Sequence, residues 1–154
     1  TFFPQVWLGI TFNVGILVGY SCISENYPNI SVIILYIGAI FWTIGYDTLY
    51  AMQDYNDDLL TGVKSTAVKM HKYSGIFAAF SYIICTIIFC TALILNDLNP
   101  LSIIIIIILG IWQILHALRT KIKDTSKFIS GFNKSNICGF YIWVVMITDL
   151  YMLN

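Results

Sequence analysis

Long apolar stretches broken by short polar ones organise this chain. No charged residue occurs from Thr1 to Ser24, Asn26 to Tyr46, Tyr73 to Asn96 or Leu98 to Leu118, and a shorter charge-free stretch runs from Ser135 to Thr148. A helix that crosses a bilayer needs about 20 mostly apolar residues. The first four stretches meet that length. The fifth does so by continuing to Leu153, with Asp149 close enough to its end for the carboxylate to reach the interface. The six isoleucines Ile103–Ile108 would favour a strand in water. In lipid the backbone must satisfy its own hydrogen bonds, so helix is expected there, with the run on the lipid-facing surface. The pattern therefore predicts an all-α, polytopic transmembrane bundle of five spans.

The breaks carry their own signals. Tyr27-Pro28-Asn29 and the Asn96–Pro100 segment are compact turns on one side of the membrane. Residues 53–72 and 119–136 form longer loops on the other. In the second of these, Ile122, Ile129 and Phe132 recur at near-helical spacing with Phe128 beside them, while Lys123, Lys127 and Lys134 lie elsewhere. That predicts a short amphipathic helix on the membrane surface, touching anionic lipid or covering a substrate channel. In the first span, Gly15 and Gly19 make a G-x-x-x-G pair that predicts close helix contact.

Charge gives the bundle a direction. All 8 basic residues lie in the two longer loops: Lys64, Lys69 and Lys72 in one, and Arg119, Lys121, Lys123, Lys127 and Lys134 in the other. The two turns on the opposite side carry only Glu25 and Asp97. The positive-inside rule then makes the basic side cytoplasmic, and membrane orientation accounts for the basic residues without a nucleic-acid partner. Charged residues are 10% of the chain, against about 25% in soluble domains, and mean hydropathy is +0.81. Cys22, Cys85, Cys90 and Cys138 lack paired short spacing and read as small buried hydrophobes. There is no basic leader or small-residue cleavage site. Thr1 begins in mid-pattern, so residues 1–154 are expected to be one N-terminally truncated domain.

Asp47, Asp54, Asp57 and Asp58 stand at the cytoplasmic mouth of the second span. A charge at the centre of a spanning helix costs roughly 2.5–3.5 kcal/mol on insertion scales, so acids in such places face water, pair with a base or hold an ion. On a helix Asp54 and Asp58 share a face with Asp57 adjacent. Asp47, seven residues earlier, would share it about 10 Å deeper. Such a stripe of oxygen ligands suits magnesium, which leaves room in its shell for substrate phosphates. Lys64, after Gly62 and before Ser65, could complement phosphate oxygens, whereas Lys69 and Lys72 read as orienting charges. Tyr46, Tyr50 and Trp42 lie near the acids in sequence, with ring faces that can meet a cation. His71 and His116 fall in a loop and at a span end and read as incidental.

Tyr46-Asp47-Thr48-Leu49-Tyr50-Ala51-Met52-Gln53-Asp54-Tyr55-Asn56-Asp57-Asp58, then Gly62-Val63-Lys64-Ser65-Thr66-Ala67, resembles the second aspartate-rich motif of the UbiA-type membrane prenyltransferases. It is most similar to those that prenylate 4-hydroxybenzoate in ubiquinone synthesis. Thr1-Phe2-Phe3-Pro4-Gln5 with Leu8 and Gly9, Trp112-Gln113, and Phe132 with Asn136 and Gly139 fit the same family's second half. The resemblance implies half of a nine-helix bundle, Mg2+ as cofactor, and a polyprenyl diphosphate and an aromatic acceptor as substrates. It implies Asp54 and Asp58 as metal ligands with Asp57 the additional acid. From their own placement, Asp47 is expected in a catalytic role, orienting a tyrosine or positioning the acceptor hydroxyl, and Lys64, Tyr46 and Tyr50 are expected at the substrate. The family's first motif, Asn-Asp-x-x-Asp-x-x-x-Asp, is absent from these residues, so this stretch alone is expected to be inactive. The bilayer is the expected setting, in a bacterial inner membrane. Naphthoate, haem and homogentisate are alternative acceptors, and an ion or proton transporter is the reading from a different class.

Overall fold

The computed structural model describes the fold of residues 2–120 and 125–152, and side chains outside 121–129 and 150–154. Ile122, Lys123, Lys127, Phe128 and Ile129, on which the surface-helix expectation rests, have side chains outside the described set. All regular elements among the described residues are helical: α1 (Pro4–Phe12), α2 (Val14–Ser24), α3 (Ile30–Ala51), α4 (Tyr55–Thr61), α5 (Thr66–Met70), a 3₁₀ turn (His71–Tyr73), α6 (Ser74–Ile94), α7 (Pro100–Arg119) and α8 (Thr125–Met152).

Local chemistry sets the ends of these helices. Asn29 caps α3 by accepting the Val32 N–H at 3.0 Å, and Asn99 caps α7 by accepting that of Leu101 at 2.9 Å. Pro4 and Pro100 occupy first turns, where no backbone donor is needed. The first span is broken at Asn13. Its side-chain amide donates to the Gly9 carbonyl and the Thr43 hydroxyl, each at 2.8 Å, and so ties α1 to α3.

Four segments among the described residues are long and apolar enough to cross a membrane: Pro4–Ser24, Ile30–Ala51, Thr66–Ile94 and Pro100–Arg119. The fifth expected span is present as the second half of α8, a helix 28 residues long whose last side chains lie outside the described set. Its first half carries Ser130, Asn133, Lys134, Ser135 and Asn136 and is the more polar part. The segment read as the loop 119–136 is accordingly helical from Thr125 and runs unbroken into the apolar part of α8.

The core is built on α3 and α6, with α7 against α6, and α1 and α8 against α3. Glycine notches bring the backbones together. A Cβ at Gly38 would lie 2.6 Å from the Phe89 ring, and one at Gly45 would lie 2.7 Å from that of Tyr82. The two glycines and the two aromatic residues are each seven positions apart, so two antiparallel helices meet twice in the same register. The Tyr82 hydroxyl lies 2.7 Å from that of Ser135, tying α6 to α8. Gly15 and Gly19, the expected contact pair, have nothing within 4 Å. The isoleucine run is not wholly lipid-facing either: Ile106 is buried in the core, while Ile104, Ile107 and Ile108 are exposed.

At the end of the bundle opposite the acids, buried Asp149 accepts the Asn99 backbone N–H at 3.1 Å. Asp149→Ala should strand that donor at a cost of about 1–3 kcal/mol. The expected readout is a lower unfolding midpoint in detergent, and an unchanged midpoint would refute it.

Candidate active site

The second span ends sooner than the acid stripe requires. Helix α3 closes at Ala51, a turn occupies residues 52–54, and α4 restarts at Tyr55. Asp47 therefore belongs to one helix and Asp57 and Asp58 to another, so the continuous face from Asp47 to Asp58 does not form. The shorter relation does hold. The Asp58 N–H donates to the Asp54 carbonyl at 2.8 Å, so Asp54 and Asp58 stand one helical turn apart, with Asp57 beside them. Asp54 and Asp57 are exposed and Asp58 is half-buried. Among the described residues no side chain donates to or forms an ion pair with these three carboxylates. Gly62, at φ 72°, ends the helix in the left-handed conformation that glycine adopts without strain.

Asp47 is engaged by the protein itself. It is half-buried and hydrogen-bonded by the side chain of Gln5, itself only 3% exposed. The Gln5 carbonyl oxygen accepts from the hydroxyl of buried Thr66, so one amide joins α1, the end of α3 and the start of α5. Gln5 was visible in the sequence only as part of the Pro4-Gln5 resemblance. A glutamine in an apolar run was the signal available.

The basic and aromatic groups arrange themselves around this end. Lys64 Nζ and Lys69 Nζ lie 5.6 and 5.4 Å from the centre of the Phe2 ring, so the two ammonium groups share one aromatic ring. Tyr46 and Tyr50 both pack on Phe132 of α8, at centroid distances of 5.7 and 4.9 Å. Tyr55, the first residue of α4, stacks on His71 at 4.5 Å and 22°. His71 adopts φ 38°, ψ −113°, a conformation that costs a non-glycine residue about 1–3 kcal/mol.

Behind the acids, two adjoining recesses run along α3 between the first span and α8. One, of about 250 Å³, is lined by Phe12, Asn13, Trp42, Thr43, Tyr46 and Asn136. The other, of about 240 Å³, shares Asn13 and Trp42 and is otherwise apolar, with Ile16, Leu35, Phe89, Ile142 and Met146 in its wall. The polar recess lies nearer the acids along α3, and the apolar one continues toward the far end.

For a metal, the donor chemistry fits in part. Three carboxylates on one turn, free of protein cations, suit a hard divalent ion. Among the described residues, however, no group of three or more His, Cys, Asp or Glu side chains converges to hold an ion unaided.

Residues 1–144 match the model of the UbiA prenyltransferase family. This chain belongs to that family. Among UbiA relatives, it is 32% identical over 147 residues to a 4-hydroxybenzoate octaprenyltransferase of Histophilus somni, covering 96% of this chain and 51% of the relative. It is 44% identical over 97 residues to a mitochondrial 4-hydroxybenzoate polyprenyltransferase of Dictyostelium discoideum, covering 62% and 21%. A UbiA prenyltransferase of Ampulloclitocybe clavipes is 49% identical over 73 residues, covering 47% and 23%. The chain spans about half the length of the curated relatives it matches best along its whole length. No solved structure matches it. As a UbiA chain, it has its acid turn with Lys64, Lys69 and Lys72 at one end of a helical membrane bundle, and the recesses lead away from that end along α3.

Proposed function

We propose that the full-length protein transfers a polyprenyl group from polyprenyl diphosphate to an aromatic acceptor, with 4-hydroxybenzoate as that acceptor and ubiquinone synthesis as the setting. The observation that carries this reading is the turn bearing Asp54 and Asp58, whose carboxylates meet no cation among the described residues. The names of the Histophilus and Dictyostelium relatives support the acceptor. Family membership favours prenyl transfer over ion or proton transport.

Asp54 and Asp58 would hold Mg2+, with Asp57 beside them. When bound, the ion supplies charge neutralisation for the departing diphosphate. Lys64, steadied on Phe2, complements the remaining phosphate oxygens. The apolar recess receives the prenyl chain and keeps water from the carbon that becomes positive. Tyr46, in the wall of the polar recess, offers a ring face to that charge, and Tyr50 completes the pair on Phe132. Asp47, steadied by Gln5, orients the acceptor hydroxyl. The remaining metal ligands come from residues outside this stretch, because the acids here do not converge. The active face is cytoplasmic, in a bacterial inner membrane, on the side where Lys64, Lys69, Lys72, Arg119 and Lys134 gather.

The test is product formation by the full-length protein in membranes, supplied with a long-chain polyprenyl diphosphate and 4-hydroxybenzoate. Product should form with magnesium, vanish with chelator and return on re-addition. The 154-residue stretch alone should form none. Product only with naphthoate, haem or homogentisate would replace the acceptor, and none with any acceptor would end the reading.

A further inference from the structure

The acid-bearing helix is loosely built into the molecule. Helix α4 has 7 residues and no buried side chain, and its main neighbour is the still shorter α5. Its first residue, Tyr55, packs against the cluster that holds Leu49, Met52 and Ala67 and stacks on His71, at 4.5 Å between centroids. His71 in turn is held from behind. The Ser74 hydroxyl, almost wholly buried, donates to the His71 carbonyl at 2.8 Å and lies 3.0 Å from the sulfur of Met52. Met52 is the residue on which α3 ends. The end of α3, the first ring of α4 and the turn into α6 thus converge on one histidine in a backbone conformation that favours glycine. Its Nδ1 is buried without a hydrogen-bond partner, so the ring surface and not that nitrogen makes the contact.

We infer that His71 is a positioning residue for the acid turn: its imidazole face, stacked on Tyr55, sets the direction in which Asp54 and Asp58 present their carboxylates. The unfavourable backbone at 71 is retained because it brings a ring under Tyr55, which glycine could not supply. This inference rests on the metal-binding reading of α4 given above.

The test uses the full-length protein in detergent, with Mn2+ binding read by electron paramagnetic resonance alongside turnover. Loss of a group that orients metal ligands weakens metal affinity by about tenfold to a hundredfold. His71→Gly, which frees the backbone and removes the ring, should weaken Mn2+ binding by about tenfold. It should also raise the magnesium needed for half-maximal rate without lowering kcat at saturating metal. His71→Phe, which keeps a flat ring, should bind Mn2+ as the parent does. Tyr55→Ala removes the other half of the stack and should match His71→Gly. Unchanged Mn2+ affinity in both His71→Gly and Tyr55→Ala would overturn the proposal, as would His71→Phe behaving like His71→Gly. Asp54→Ala is the separate control. If that variant binds Mn2+ normally, the metal reading itself fails. If it does not bind while His71→Gly does, only the positioning role fails.

Discussion

Asp54→Ala in the full-length protein should turn over at least about a hundredfold more slowly than the parent at saturating magnesium, and Asp58→Ala should match it. Removing one preorganised group that stabilises transition-state charge typically costs about 10²–10³ in rate. Here the lost group would hold the ion that neutralises the leaving diphosphate. The two residues lie one turn apart, linked by the 2.8 Å bond between the Asp58 N–H and the Asp54 carbonyl, so on the proposed reading they would act on one ligand and their effects should not add. Asp57→Ala should be milder, because Asp57 is the additional acid beside that pair. Initial rates of prenylated product decide the matter. Near-parental turnover by Asp54→Ala would remove the metal assignment.

The second large effect belongs to the scaffold. Gly45→Leu should prevent accumulation of folded protein, and Gly45→Ala should lower the unfolding midpoint by the equivalent of about 1–3 kcal/mol. A single added Cβ at 45 already meets the Tyr82 ring at 2.7 Å. That ring is only 1% exposed, and its hydroxyl is held by Ser135, so it has nowhere to retreat. Larger side chains multiply the clash at the α3–α6 interface around which the other helices assemble. Parental yield and midpoint for Gly45→Leu would show that the helices separate more easily than this packing implies.

The membrane spans were legible because charge-free length is nearly decisive in lipid. The first four expected spans are helices with ends within a few residues of those predicted. The fifth was marginal in the sequence because its charge-free stretch is short, and the structure carries it as the second half of the longer α8. The acid turn was legible at short range, where i and i+4 spacing survives any helix. It was not legible across residues 52–54, since nothing in Met52-Gln53-Asp54 is a strong helix breaker and the turn is imposed by the packing of Met52 against Ser74. The contacts of Gln5 with Asp47, of Phe132 with Tyr46 and Tyr50, and of His71 with Tyr55 were not legible, because each joins segments that are separate in the sequence. The glycines were misjudged for a related reason. Gly15 and Gly19 carry the familiar spacing yet touch nothing, whereas Gly38 and Gly45, at heptad separation, take the aromatic rings of α6.

Those two notches also constrain how such a chain can drift. At 45 with 82, and at 38 with 89, one partner has given up its whole side chain to make room for a ring on the other. Neither position can enlarge while its partner keeps that ring in place. Sequence change at these sites should therefore be inherited in matched pairs, small with large, and an alignment of close relatives should reveal the exchange as covariation between the two helices.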